Sequence, residues 1–363
     1  MNSSLKKLSH PLIPGLLLSA ALAAVAIRLG ALGWLSAHGM SALTVAIVLG
    51  IALGNTIYPS IATRASAGVM FSKATLLRAG VILYGLRLTL HDIGEVGVTG
   101  VLIDGLLLSS TFALAYFLGT RVFGLDRHTS LLIGAGNAIC GAAAVMATEP
   151  LLRAKAEKVT VAISTVVVFG TIAIFVYPAL YAMNQHWQLM PTGTQPFGIY
   201  AGSTIHEVAQ VFAAGRSISA DTANTAVITK MVRVMMLAPF LILLSGWLAR
   251  DEAQANAATQ GATVTQGATV AKSRKLTIPW FAFAFIGMVI FNSLALLPHA
   301  AVAMAIDVDT FLLAMAMGAL GLTTHLSAIR RAGMKPLLLG GVLFVWLVGG
   351  GALINGAVTH WMH

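Results

Sequence analysis

The sequence predicts an all-α polytopic membrane protein with about nine to eleven transmembrane helices. Three observations carry this. Of 363 residues, 58% are hydrophobic and 9% charged, against about 25% charged in soluble domains. The mean hydropathy is +0.87. The apolar residues fall into runs of about 20, the length that spans a ~30 Å hydrocarbon core, divided by polar connections.

The net charge of +10 would suggest nucleic acid in a soluble protein. In a membrane protein it marks inner loops, so nucleic acid is not an expected partner. A single cysteine excludes an internal disulfide and a cysteine metal cluster. No metal, cofactor or catalytic residue is expected.

Taken in order, the basic and apolar start resembles a signal peptide. The run is long and no cleavage site closes it, so it is read as a retained first span. Membrane segments are expected at 12–36, 40–58, 74–91, 98–119, 129–148, 159–182, 197–215, 222–248, 279–298, 309–327 and 336–358. Together they form one integral domain, 1–363. The connection 249–277, with its tandem "TQGATVTQGATV", is expected to be a flexible cytoplasmic loop.

Lys and Arg positions test the topology. If every segment crosses and the N-terminus is inside, thirteen fall in inner connections and four in outer ones. If the fifth and seventh segments dip in and return, the division becomes sixteen to one. Orientation follows this bias. It therefore favours two re-entrant hairpins over broken crossing helices, with the C-terminus outside.

Those two segments are related. At an offset of 66, Ile133, Ala135, Gly136, Ile139, Ala143, Val145 and Ala147 recur as Ile199, Ala201, Gly202, Ile205, Ala209, Val211 and Ala213. At an offset of 236, Gly85, Leu86, Leu90, Ile93, Gly97 and Gly105 recur as Gly321, Leu322, Leu326, Ile329, Gly333 and Gly341. Two such pairs suggest inverted repeats, whose interrupted, glycine-rich segments mark a transporter's substrate site.

At a helix break, freed N–H groups and the helix dipole suit an anion. Gly136, Asn137 and Gly141 in the fifth segment, and Gly202, Ser203, Thr204 and His206 in the seventh, are the candidate substrate ligands. Lys230 and Arg233, three apart and near mid-bilayer in the eighth segment, share a helix face. They are expected to leave a surplus positive charge for the substrate, even if one pairs with Glu207. Glu207 and Asp104 are the candidate ion-coupling carboxylates. Arg87 is expected to pair with Asp92, and His325 to stand beside the site. Cys140 has no base in its sequence context, so no enzyme is expected.

The blocks "GAGNAICGAAAVMATEP", "AGSTIHEVAQVFAAG", "ITKMVRVMMLAP" and "FLLAMAMGALGLTTHLSAIRRAGMKPLLLGG" resemble the YeiH-type sulfate exporter family of bacterial inner-membrane proteins. The likeness runs from about Ser41 to Ala357. It implies a place in the superfamily of bile-acid symporters and cation:proton antiporters, with inverted repeats. On that pattern the interrupted helices would cross the whole membrane, five spans apart.

The leading expectation is a secondary transporter that exports sulfate, sulfite or a sulfonate. The alternatives are a carrier coupled to Na+ or H+ through Glu207, and a membrane sensor or scaffold. Lipid, a small anion, Na+ or H+, and a second copy of the chain are the partners considered.

Overall fold

The computed structural model describes residues 2–32, 41–188, 193–259, 280–324 and 333–362. Every regular element among them is helical. Seven helical runs are long and apolar enough to cross a membrane.

Helix α1 (Asn2–Gly30) leads to α2 (Ala42–Gly54). Asn55 ends α2 by donating to the Ile51 carbonyl, and Pro59 opens α3 (Tyr58–Phe71) at a position that needs no N–H. A π-turn, Ser72–Leu76, joins α3 to α4 (Leu77–Tyr84), and a short 3₁₀ turn ends at Arg87. Tyr58–Arg87 is thus one 30-residue span. Arg64 and Lys73, expected in a loop before a segment at 74–91, lie inside it.

Helix α5 (Leu90–Phe117) kinks at Gly97, where φ is +46°. It is followed by α6 (Arg127–Ala138), α7 (Ala142–Leu152), α8 (Ala156–Trp187), α9 (Thr194–Thr204) and α10 (Val208–Arg216). Then come α11 (Ala220–Met235), α12 (Leu237–Thr259), α13 (Trp280–Ser293), α14 (His299–Leu322) and α15 (Met334–Met362). The helical course to Thr259 extends into the stretch expected as a loop. Residues 260–270 of the tandem hexapeptide and His325 lie outside the described residues.

The interrupted segments turn back. Lys158, in the first turn of α8, donates to Asp126, the N-cap of α6, at 2.5 Å. The start of α6 and the start of α8 therefore share a face, and three residues link the end of α7 to α8. A crossing α6–α7 would separate Asp126 from Lys158 by the full bilayer. In the same way Thr222 in α11 donates to the Thr194 carbonyl at the start of α9, while Gly215 at the end of α10 packs on Ala223. Helices α6 and α9, of 12 and 11 residues, are about 18 and 16 Å long. Each reaches only the middle of a ~30 Å core. The full-crossing helices implied by the family resemblance are replaced by two hairpins.

Helix α8 runs from the Lys158 face to the opposite one, so the hairpins enter from opposite faces and their tips meet midway. The remaining helices alternate. The α5 start holds Ser293 at the end of α13, its far end packs Gly119 on Ser130 of α6, and Lys335 at the start of α15 lies beside Gly124. We call the face with Asp126, Lys158 and Lys335 face 1. The face with Arg87, Thr194 and Ala220 is face 2. Among the described residues the seven long runs lie between these faces, with the shorter apolar helices α2 and α13 alongside them.

The helices form two groups. In one, α14 packs on α2 and α4, and α1 on α2, α3 and α14, with α13 against α4. In the other, α5, α8, α11 and α15 enclose both hairpins. The run α11–α12 lies at its centre, with 61% of its apolar window buried against 28–39% for the other spans. Contacts between the groups are sparse and come mainly from α10 and α13.

Candidate functional site

Helix α6 ends because Ile139 leaves helical geometry (φ −124°, ψ −87°) and Gly141 takes φ +73°. Helix α9 ends at Ile205, which is extended, as is Glu207. Each break strands carbonyls at the end of one half-helix and N–H groups at the start of the next. Inside a bilayer such groups must find partners in the protein or in a water-filled cavity.

The carbonyls find Lys230 and Arg233. The Lys230 ammonium donates to Ile139 O at 2.8 Å and to Ile205 O at 2.5 Å, so a single charge closes both tips. The Arg233 guanidinium donates through Nε and Nη2 to Ala138 O at 2.8 and 2.6 Å, with a longer bond to Asn137 O. Both side chains are fully buried. Helix C-termini carry partial negative charge, which accounts for two cations at mid-bilayer. The expected surplus charge for a substrate is taken up by the backbone. No ion pair joins either residue to Glu207 among the described residues.

Glu207 serves the N-termini. It closes a capping box with Gln210 at the head of α10, and its Oε1 accepts from Ala142 N, at the head of α7, at 3.2 Å. A Cβ at Gly141 would lie 2.4 Å from Glu207 Cγ, so only glycine admits the carboxylate here. The tips are also joined by His206 Nε2 and Asn137 Oδ1 at 2.8 Å. Asn137 already donates its amide to Ile133 O, so the oxygen is the acceptor and His206 the donor.

The other expected ligands divide. Ser203 and Thr204 donate to Tyr200 O, and Ser203 accepts from Asn355 of α15 at 3.3 Å. Gly136 and Gly202 are packing positions. A Cβ at Gly136 would lie 2.8 Å from Val145 and Val166, and one at Gly202 would lie 2.3 Å from Ala226 O. Asp104 on α5 is fully buried with neither carboxylate oxygen hydrogen-bonded. It lines none of the cavities described below. Arg87 pairs with Asp309 of α14 at 2.9 Å, not with Asp92, which caps α5 through Thr89. Asp309 lies beside Thr310 and one helix turn past Ile306, whose oxygens complete the arginine's set.

Cavities follow the seam between the two groups. One of about 310 Å³ reaches the crossed tips from the face 1 side, and its charged lining residues are Lys73, Arg78 and Glu207. A second, of about 420 Å³, opens on face 2 and holds Arg87 and Arg216 with Ser41, Ser217 and Thr310. Between them lies a constriction of about 10 Å³ lined by Val81, Tyr84, Val208, Phe212, Val227 and Leu313. The Tyr84 and Phe212 rings meet edge-on in it at 4.7 Å. Val208 also lines the first cavity and Phe212 the second.

Sequence reasoning missed Lys73 and Arg216 as cavity residues. The available signal for Lys73 was the stretch from Pro59 to Asp92, which contains no second proline and no asparagine to divide a helix.

Residues 14–340 match the family described as conserved hypothetical protein 698. The chain is 64% identical to a UPF0324 membrane protein of Pseudomonas aeruginosa, covering 95% of this chain and 94% of that one. It is 57% identical to the UPF0324 inner membrane protein YeiH of Escherichia coli K12, covering 94% and 93%. A UPF0324 membrane protein of Photorhabdus laumondii is 54% identical over 96% and 94%. No solved structure matches. With these relatives aligned along nearly its whole length, the chain belongs to the UPF0324 family of membrane proteins, the family of conserved hypothetical protein 698.

Proposed function

We propose that the protein is a secondary transporter that moves a small anion, such as sulfate, sulfite or a sulfonate, by alternating access. The observation that carries this is the seam. Two cavities approach the crossed hairpin tips from opposite faces and stop at one apolar constriction. Sparse contact between two helix groups suits rocking or sliding of one group on the other, the usual mechanics of repeat-built carriers. Lys73 and Arg78 in one cavity, and Arg87 and Arg216 in the other, suit an anionic passenger. Glu207, at the inner end of the first cavity, is the carboxylate we assign to proton coupling. Face 1 is cytoplasmic by the Lys/Arg bias, with the N-terminus inside, the C-terminus outside, and export as the direction.

The test is efflux of labelled sulfate, sulfite and methanesulfonate from proteoliposomes. On a Cys140→Ala background, a disulfide between Val81→Cys and Val208→Cys spans the constriction. The expected result is saturable efflux of at least one anion, stopped by oxidation and restored by reduction. Efflux no faster than from protein-free vesicles, or flux unaffected by the cross-link, overturns the reading.

A further inference from the structure

The inference concerns what the face 1 cavity binds, and it rests on the anion-carrier reading above. Lys73 lies near the middle of a 30-residue span, and Arg78 lies five positions on. A charge at that depth is costly unless it faces protein or a water-filled space. The π-turn at Ser72–Leu76 turns Lys73 into the cavity, and both residues line it. Neither forms an ion pair among the described residues. π-Turns within helices recur at functional sites.

At the inner end of this cavity the head of α7, 11 residues long, and the head of α10 converge. The group that occupies the point of convergence is an anion, the Glu207 carboxylate, tethered to the chain. It is held there by one backbone bond from Ala142 and by its capping box. The remaining walls are apolar, from Leu77 and Val81 of α4 to Phe281 of α13 and Ala316 and Leu320 of α14.

We infer that the Glu207 carboxylate is a built-in competitor for the transported anion. The anion binds between Lys73, Arg78 and the Ala142 N–H, and Glu207 must swing out and take up a proton for it to do so. Lys73 and Arg78 from α3–α4, with Cys140 and Ala142 from the first hairpin, line the cavity beside Glu207; Gln210 of α10 shares its capping box, and Lys230 of α11 bonds the nearby Ile205 carbonyl. Helices α8, α13 and α14 contribute only apolar residues to the cavity. Lys230 is committed to the tip carbonyls, so Glu207 is the carboxylate in this set whose protonation removes a negative charge from the cavity. Anion and proton binding are then linked, and affinity rises as pH falls, by up to about tenfold per pH unit.

The test is sulfate and methanesulfonate binding to the protein in lipid nanodiscs, followed by thermal stabilisation between about pH 8 and pH 6. Wild type is expected to be stabilised more by either anion at the lower pH. Glu207→Gln, which retains the side-chain shape without the charge, is expected to bind about as well at both pH values and more tightly than wild type at the higher one. Glu207→Ala should behave similarly, which separates charge from hydrogen bonding. Lys73→Gln and Arg78→Gln should each weaken binding by about tenfold or more in both backgrounds. Anion binding with the same pH dependence in wild type and Glu207→Gln overturns the inference while leaving the carrier reading intact. So does binding lost in both Glu207 variants when each still melts cooperatively. No stabilisation of any variant by either anion, together with no efflux, overturns both.

Discussion

Helices α6 and α9 end at Ala138 and Thr204, and α7 and α10 resume at Ala142 and Val208. Each pair is 66 residues apart, the offset of the sequence repeat. The tips between them differ in kind. In the first hairpin the tip is Ile139–Cys140–Gly141, and in the second it is Ile205–His206–Glu207. Glycine stands where its counterpart has glutamate, and the glutamate fills the space the glycine leaves. The cations are equally one-sided. Lys230 and Arg233, in the helix after the second hairpin, correspond to Ser164 and Val167 in the helix after the first. A duplicated frame has therefore become a lock with unlike halves, in which the second repeat supplies the charges and the first supplies backbone groups and room.

Several experiments can break or sharpen this contrast. The largest effect is topological. On a Cys140→Ala background, Arg153→Cys and Arg121→Cys should both react with an impermeant thiol reagent from one side, and Arg216→Cys only from the other. Labelling of Arg153→Cys from the Arg216 side would make the first hairpin a crossing helix.

Next is Lys230→Met. It leaves two buried carbonyls unpaired at about 1–3 kcal/mol each, so a loss of about 2–6 kcal/mol is expected in the detergent melting of the protein. Hydrogen exchange should rise at both tips. Arg233→Met should loosen the first tip alone. Equal exchange at both tips in the two variants would contradict the assignment of their acceptors.

Gly141→Ala forces a side chain into left-handed geometry and onto Glu207, a strain of about 1–3 kcal/mol. Adding Glu207→Ala should recover part of that loss, because contacting sites are non-additive. Full additivity would separate the two positions.

The smallest effect is at the outer end of the first hairpin. Burial raises the Asp126 pKa, but hydrogen bonds from Lys158 and Thr129 outweigh it and hold the carboxyl below its ordinary value. A depressed carboxylate stabilises the fold above its unfolded pKa, and the contribution fades as pH falls below about 4. With 47% of the Asp126 side chain exposed, Asp126→Asn should cost less than about 1 kcal/mol near neutral pH. That difference from wild type should vanish in acid. A gap that widened in acid would assign the pair the wrong sign.

Much of the frame is legible in the sequence. The 66-residue offset locates both breaks, since a repeated helix stop leaves repeated small residues. The 236-residue offset pairs Gly97 with Gly333, and both take positive φ. The charge division favours the hairpins that the Lys158–Asp126 bond displays, and it does so through Arg153, Lys155 and Lys158, since Arg64 and Lys73 lie inside a span. What the letters do not carry is the acceptor of a cation. Every residue offers the same carbonyl, so nothing in the sequence ties Lys230 to Ile139 and Ile205. Arg87 likewise finds Asp309, 222 positions away, while Asp92 five residues on caps its own helix.

Lys230 also orders events in time. Its acceptors lie 25 and 91 residues earlier in the chain. At about 5–20 residues per second of synthesis, the Ile139 carbonyl leaves the ribosome several seconds or more before the ammonium that closes it. Until α11 is made, the Ile139 and Ile205 carbonyls lack this partner. Closure of both tips thus waits on a single later residue, and a chain truncated before residue 230 cannot make the Lys230 bonds to either tip.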